Sequence, residues 1–331
     1  MAHSMSTFLL LFPFLFYLSF MSSAAPADSH IPYSSASTQI KFWSPNVLNK
    51  MPESISSKLS PLTNQDSDYY AEKIMEDSFS ADTEFCSRSR LACSSGADAY
   101  VTALVYNKYG GAIPPLEKVD QFSFFRLSTL KEGNVIRLSN LEVSLPYRAF
   151  LPSQIASKIP LTSKGIAKIF PQSSKEDIET TLYYCNAAAI KGELKVCPKS
   201  LEEMINFSKS ALGKDKLLAL ASKSTQGSGS ELKIKRIKQY NVQKIVACHE
   251  MYLPFATYFC HSLPSTQIYA VEVVEPSTGA LVNTVVAVCH MDTSAWPEEH
   301  VAFKIVKLGP GQGEVCHWLS EIDVAWIAGG E

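Results

Sequence analysis

The dipeptide Cys-His occurs four times in the last quarter of the chain, at Cys248-His249, Cys260-His261, Cys289-His290 and Cys316-His317, with 10, 27 and 25 residues between successive pairs. With 8 Cys and 7 His in 331 residues, random placement gives about 0.2 such dipeptides by simple counting. Each closes a short run of strand-forming residues, VACH, YFCH, VVAVCH and EVCH, so the four pairs are expected at strand ends that converge in space. Adjacent residues on a strand point to opposite faces, which makes a Cys and the His after it poor candidates for the same job. In an oxidising compartment the sulfurs pair as disulfides on one face. The imidazoles then share the other face with Ala247, Phe259, Val288 and Val315, all apolar.

Histidines clustered in such surroundings repel one another when protonated, whereas neutral imidazoles are the commonest metal ligands and suit copper or zinc. The sequence therefore predicts a metal site at His249, His261, His290 and His317, with copper preferred on affinity order. The alternative is four core histidines bonded to backbone, beside plain disulfide staples. A zinc finger is disfavoured because no Cys-x-x-Cys spacing occurs and the compartment is oxidising. His300, near Asp292 and Trp296, reads most simply as a surface residue, with ligand or proton carrier as the other possibilities.

The compartment follows from the first residues. Residues 8–20 (FLLLFPFLFYLSF) are too short an apolar run to span a bilayer, and they precede small residues. Residues 1–24 thus read as a secretory signal, with Ser22 and Ala24 suited to a cut after Ala24. All eight cysteines, at 86, 93, 185, 197, 248, 260, 289 and 316, follow it. An even count in an exported chain implies a disulfide framework, and short spacing makes Cys86 with Cys93 and Cys185 with Cys197 natural local pairs. Thirty basic and 32 acidic side chains nearly balance, so no global field draws in nucleic acid or an anionic membrane. A soluble or wall-associated secreted protein is expected.

Residues 25–121 are rich in Ser, Asp and small residues and read as loosely structured, apart from a helix over 67–79. The middle of the chain predicts helices at 152–158, 175–184 and 200–212, the last capped by Ser200 with Glu203 three residues on. Beyond residue 230, strand-like runs at 242–248, 254–260, 267–274, 281–289, 301–307 and 314–318 are separated by gaps too short for parallel crossovers, which predicts a mainly antiparallel sheet. The class is α+β. Residues 222–230 (SKSTQGSGS) read as a flexible polar loop.

Lys233, Lys235, Arg236 and Lys238 alternate with β-branched residues. They form either a polyanion patch or the lysine-protected face of an edge strand. Asn206-Phe207-Ser208 is the one N-glycosylation sequon, placed in a predicted helix. No phosphate-binding glycine loop, nucleophile elbow or His-Glu-x-x-His pair is present.

The spacing of the four Cys-His pairs, followed by Trp326, resembles the signature of the plant BURP-domain family. Further matching features are Phe124-Phe125, Cys185, Gly192-Glu193, Cys197, Ser200-Leu201-Glu202 and Met204, together with residues 289–296 (CHMDTSAW), 300–303 (HVAF) and Pro310-Gly311. The resemblance covers residues 122–331 and implies a helical subdomain joined to a His-lined, disulfide-stapled sheet. Within the family, Phe85-Cys86, Cys93, residues 151–160 and residues 316–326 resemble the non-catalytic β-subunit type of polygalacturonase. That likeness implies an apoplastic wall protein acting with polygalacturonase or pectin. The Phe-x-x-Tyr repeats usual in that type are reduced to one degenerate copy, at Tyr106 to Tyr109. Other family members are copper-dependent peptide cyclases that crosslink Tyr or Trp of their own precursor. By that resemblance the four histidines would be catalytic, and the chain's own N-terminal segment would be the substrate, around Phe42-Trp43, Tyr69-Tyr70 or Tyr106 to Tyr109.

Overall fold

The computed structural model describes residues 35–94, 119–143 and 145–330. The signal segment and Tyr106 to Tyr109 lie outside them. Five of the six C-terminal runs rich in β-branched and aromatic residues become strands, as that composition predicts, but they build two sheets. The first has the order β1 (Phe124–Phe125), β10 (Val315–Trp318), β9 (Leu281–His290), β8 (Thr266–Val274), β5 (Glu231–Tyr240) and β2 (Val135–Arg137). The second runs β3 (Leu194–Val196), β7 (Tyr258–Ser262), β6 (Val246–Glu250), β11 (Val324–Ala328) and β4 (Leu217–Leu220). Every pairing between these strands is antiparallel.

The sheets pack face to face. Ile268, Val286 and Val288 of the first meet Ala325 and Ile327 of the second in one buried cluster. The outer face of the second sheet, with Val246, Tyr258, Val324 and Trp326, packs on helices α1 (Ser35–Asn46) and α8 (Leu201–Leu212). The outer face of the first sheet, with Val271, Val285, Ala287 and Trp318, is covered by Leu138, Leu141 and their neighbours. Buried on both faces, β6 and β11 have no exposed position, which explains why β11 is apolar throughout and does not alternate, while β6 ends in the buried polar pair His249 and Glu250.

Helix α8 begins where its cap predicts. Ser200 Oγ accepts from the Glu203 backbone N–H at 3.2 Å, while Glu203 Oε2 accepts from the Lys199 backbone N–H at 2.7 Å instead of from Ser200. Gly213, at φ +65°, ends the helix in the left-handed region that glycine enters without strain.

Three expectations are corrected. The run at 301–307 forms no strand but helix α9 (Val301–Val306), with His300 as its cap and Lys307 at φ 56° as its stop. A short apolar run is ambiguous between the two states, and the cap decides it. The region 25–121, read as loose, is folded in its described part. It contains α1, α2 (Glu53–Ser56), α3 (Asn64–Lys73) and α4 (Thr83–Arg88). Two are six residues or shorter, too brief to show helical periodicity, and they are held by tertiary burial of single large residues. Trp43 meets Trp326 at 5.5 Å between ring centroids, and Tyr70 meets Phe85 at 4.4 Å. Lys58 reaches across to the fully buried Glu250 at 2.6 Å, which Arg148 also contacts at 3.2 Å. The loop at 222–230 is pinned too: Ser222 Oγ donates to the Leu319 carbonyl, and Asn283 Nδ2 donates to the carbonyls of Ser224 and Gln226.

Candidate imidazole site

The strand pleat separates each Cys from its His. Cys248 on β6 lies directly opposite Cys260 on β7 and is bonded to it; Cys289 on β9 and Cys316 on β10 stand in the same relation. These two disulfides sit on the outer faces of the two sheets, among the residues of the outer cores. The remaining cysteines pair as Cys86–Cys93 and Cys185–Cys197, the two local pairs that spacing suggests.

The imidazoles turn the other way, toward the opposing sheet. His249 and His261 come from one sheet, His290 and His317 from the other. Their ring centroids stand 5.5 Å (249–261), 5.8 Å (249–317), 5.6 Å (290–317) and 6.2 Å (261–290) apart. The four expected residues thus meet, on facing sheets instead of on one face of a single sheet.

Each Nδ1 faces an acceptor. His249 Nδ1 is 3.3 Å from Asp323 Oδ1, and His261 Nδ1 is 3.2 Å from Glu193 Oε1. His290 Nδ1 is 3.2 Å from Thr266 Oγ1, whose own hydroxyl donates to the Leu263 carbonyl. His317 Nδ1 lies 3.4 Å from the Trp318 carbonyl. Carboxylates and carbonyls only accept, and the threonine hydrogen is already committed, so these partners assign the proton of a neutral ring to Nδ1. The lone pair then belongs to Nε2 in all four. Burial, reinforced by the nearby His261, His249 and His300, pushes His290 well below the usual imidazole range. Burial alone would raise the Glu193 carboxyl, but the hydrogen bonds from His261 and the Ile190 N–H leave it below the usual range.

His300 is not a surface residue. It is partly buried, packed on Trp296 at 4.5 Å and on Phe124 at 6.0 Å. Its Nδ1 accepts from the Ala302 N–H at 3.2 Å, so its proton is on Nε2, opposite to the other four. Desolvation lowers it to about 4. His261, His290, His300 and His317 line a cavity of about 180 Å³ whose remaining walls are largely aromatic and aliphatic, with Glu193 and Lys195.

In their neutral form these imidazoles present Nε2 lone pairs, and with two of them backed by carboxylates they are a donor set that fits a borderline transition metal. Among the described residues, no three His, Cys, Asp or Glu side chains already stand close enough to hold one, so binding would draw the rings together. The chemistry of the donors fits, and the closed shell is not preformed. Bound there, copper(II) would supply one-electron oxidation.

Other predicted residues lie apart. Of the basic residues on β5, Arg236 pairs with Glu272 at 2.7 Å and Lys238 lies over the Tyr240 ring at 4.6 Å, while Lys233 and Lys235 are exposed. Strand β2 pairs with Glu231 to Lys233, Gly133 and Asn134 extend the backbone bonding to Ile234, and Glu132 Oε1 accepts from the Ile237 N–H, so this side of β5 is only partly uncovered. Asn206 is exposed in mid-helix, with Ser208 buried. Trp43 and Tyr70 are core residues, which leaves Phe42 half-buried and Tyr69 exposed as the accessible rings of those candidates. Sequence reasoning missed the functional partners Glu193, Asp323 and Thr266. Only the Gly192-Glu193 pair, quoted for its resemblance, carried a signal.

The BURP domain profile matches residues 123–328. The chain belongs to the BURP-domain family. Its BURP domain therefore contains both sheets and all four Cys-His pairs. Among curated relatives, polygalacturonase-1 non-catalytic subunit beta of Solanum lycopersicum is 37% identical over 218 residues, 63% of this chain and 34% of that protein. Polygalacturonase 1 beta-like protein 1 of Arabidopsis thaliana is 36% identical over 248 residues, 70% of this chain and 40% of the other. BURP domain-containing protein 16 of Oryza sativa subsp. japonica is 30% identical over 327 residues, 91% and 92% of the two chains. The expected likeness to non-catalytic polygalacturonase subunits is borne out, although this chain spans only about a third of the tomato subunit's length. No helix among the described residues is long and apolar enough to cross a membrane.

Proposed function

We propose that this BURP protein acts in the cell wall as a non-catalytic partner that binds or localises polygalacturonase on pectin. The observation that carries this is the 37% identity to a non-catalytic polygalacturonase subunit across 218 residues. The signal-like residues 1–24 and the disulfide-bonded cysteines support export. The exposed Lys233 and Lys235, with Lys238 beyond the end of β2, offer a cationic edge to a polyuronate. The test is co-sedimentation of the mature protein with polygalacturonate and with purified polygalacturonase, at low and high salt. Salt-sensitive retention that weakens in a K233E/K235E/K238E variant supports the proposal. Failure to retain either partner at low salt overturns it.

A second function is favoured by the imidazole cluster: a copper site for oxidative coupling of Tyr or Trp side chains, on the chain's own N-terminal segment or on another peptide. Its support is the set of four neighbouring rings whose Nδ1 atoms all face acceptors. The chain's own groups would bind and orient, while the metal would supply the oxidising chemistry. Incubation with copper(II) under oxygen, followed by mass spectrometry, tests it. A loss of about 2 Da from an aromatic peptide is expected of a coupling that removes two hydrogens. An unchanged mass with copper bound rejects it.

A further inference from the structure

Seven of the cavity-lining residues, from Tyr183 and Tyr184 through Ile190 to Glu193 and Lys195, belong to one stretch of chain. It runs from the end of α7 (Lys175–Asn186) into β3. The Cys185–Cys197 disulfide closes it at its base. Lys195 Nζ donates to the Tyr184 carbonyl at 3.0 Å across that base. At the tip, Glu193 Oε2 accepts from the Ile190 N–H at 3.0 Å, which leaves Oε1 for His261. The preceding Gly192 has φ +82°, and a Cβ there would meet Pro264 at 2.8 Å, so the turn that aims Glu193 needs glycine. Beyond the tip, β3 pairs with β7 in the register Lys195 to His261. The stapled stretch and the histidine it serves are therefore locked to each other twice, through backbone and through side chain.

We infer that Glu193 is the positioning residue of His261: held by the disulfide-closed turn, it fixes that ring's orientation and keeps its proton on Nδ1, so that Nε2 is presented to the cavity. The Cys185–Cys197 bond then acts on the imidazole cluster although no sulfur touches it. The inference concerns the same cavity as the copper reading and rests on it only for the consequence for metal affinity.

Long-range ¹⁵N–¹H spectra of the imidazole side chains, recorded on the metal-free mature protein, test it. In the wild type His261 is expected as the Nδ1–H tautomer. In Glu193→Ala its proton redistributes toward Nε2, whereas Glu193→Gln, which keeps a carbonyl acceptor, retains the wild-type pattern. The Cys185→Ser/Cys197→Ser variant shifts His261 in the same direction as Glu193→Ala with Glu193 intact. In each variant His290 and His317 keep their shifts, which separates repositioning of one ring from loss of the fold. A His261 resonance unchanged in both Glu193→Ala and the serine variant overturns the inference, as does loss of the tautomer in Glu193→Gln with the fold intact. Copper(II) titration of the same samples is expected to show about 10–100-fold weaker binding in Glu193→Ala, the usual cost of losing such a partner. A wild-type protein that takes up no copper, with the tautomer change still observed, rejects the copper reading and leaves the positioning role standing.

Discussion

His300 shows how one backbone contact sets the chemistry of a side chain. Its Nδ1 lone pair is engaged by the Ala302 N–H, so in the cavity wall the ring is a donor through Nε2, the reverse of the other four. Its folded value, about 4, lies below the usual 6.5 because burial disfavours the charged ring. A depressed value means that the unfolded chain takes up the proton first. The stabilising contribution is thus complete above pH 6.5 and is lost as pH falls toward 4. Chemical denaturation at intervals between pH 7 and pH 4 should show His300→Gln losing less stability on acidification than the wild type. The difference should approach about 1.4 kcal/mol per pH unit. Parallel pH profiles for the two proteins would contradict the burial of this ring. In the sequence, His300 gave no such indication, because its burial comes from Phe124 and Trp296 and from a helix start hidden inside a strand-like run.

Among the elements, α1 carries the sharpest consequence. The loose composition of residues 25–121 predicts that substitutions there cost little, yet Trp43 is buried against Trp326 on β11, and its indole nitrogen donates to the Asn49 carbonyl. Trp43→Ala should therefore destabilise the protein by about 3–5 kcal/mol, the range for emptying a large aromatic site, whereas the exposed Tyr69 should tolerate the same change within about 0.5 kcal/mol. Urea denaturation of the two variants checks this, and equal effects would return α1 to a loosely held segment. The strands tell the opposite story. Those containing Cys-His pairs were legible because β-branched and aromatic residues cluster between turn residues. The two-residue β1 and three-residue β2 and β3 were not, since pairing in a sheet, and not local pattern, makes them strands.

For the molecule as a whole, the alternation of side chains along a strand did most of the work of prediction: it separates sulfur from imidazole, and the outer disulfides and inner rings follow. What it does not contain is the number of sheets. A single-sheet reading and a two-sheet sandwich make the same local demands on residues 246–318, and only the packing of Ile268, Val286 and Val288 against Ala325 and Ile327 distinguishes them. The partners Glu193 and Asp323 were hidden for a related reason: they lie 68 and 74 positions from the histidines they hold, and nothing in a carboxylate's local sequence marks its distant partner. The central claim is that the fold gathers four imidazoles, two from each sheet, into one cluster that copper(II) would draw together. Pulsed electron paramagnetic resonance of the mature protein loaded with one equivalent of copper(II) tests it most directly. The account predicts one copper bound by several imidazole nitrogens, with the signal abolished in a His249→Ala/His290→Ala variant that removes one ring from each sheet. Copper bound through a single imidazole, or unchanged in that variant, would contradict it.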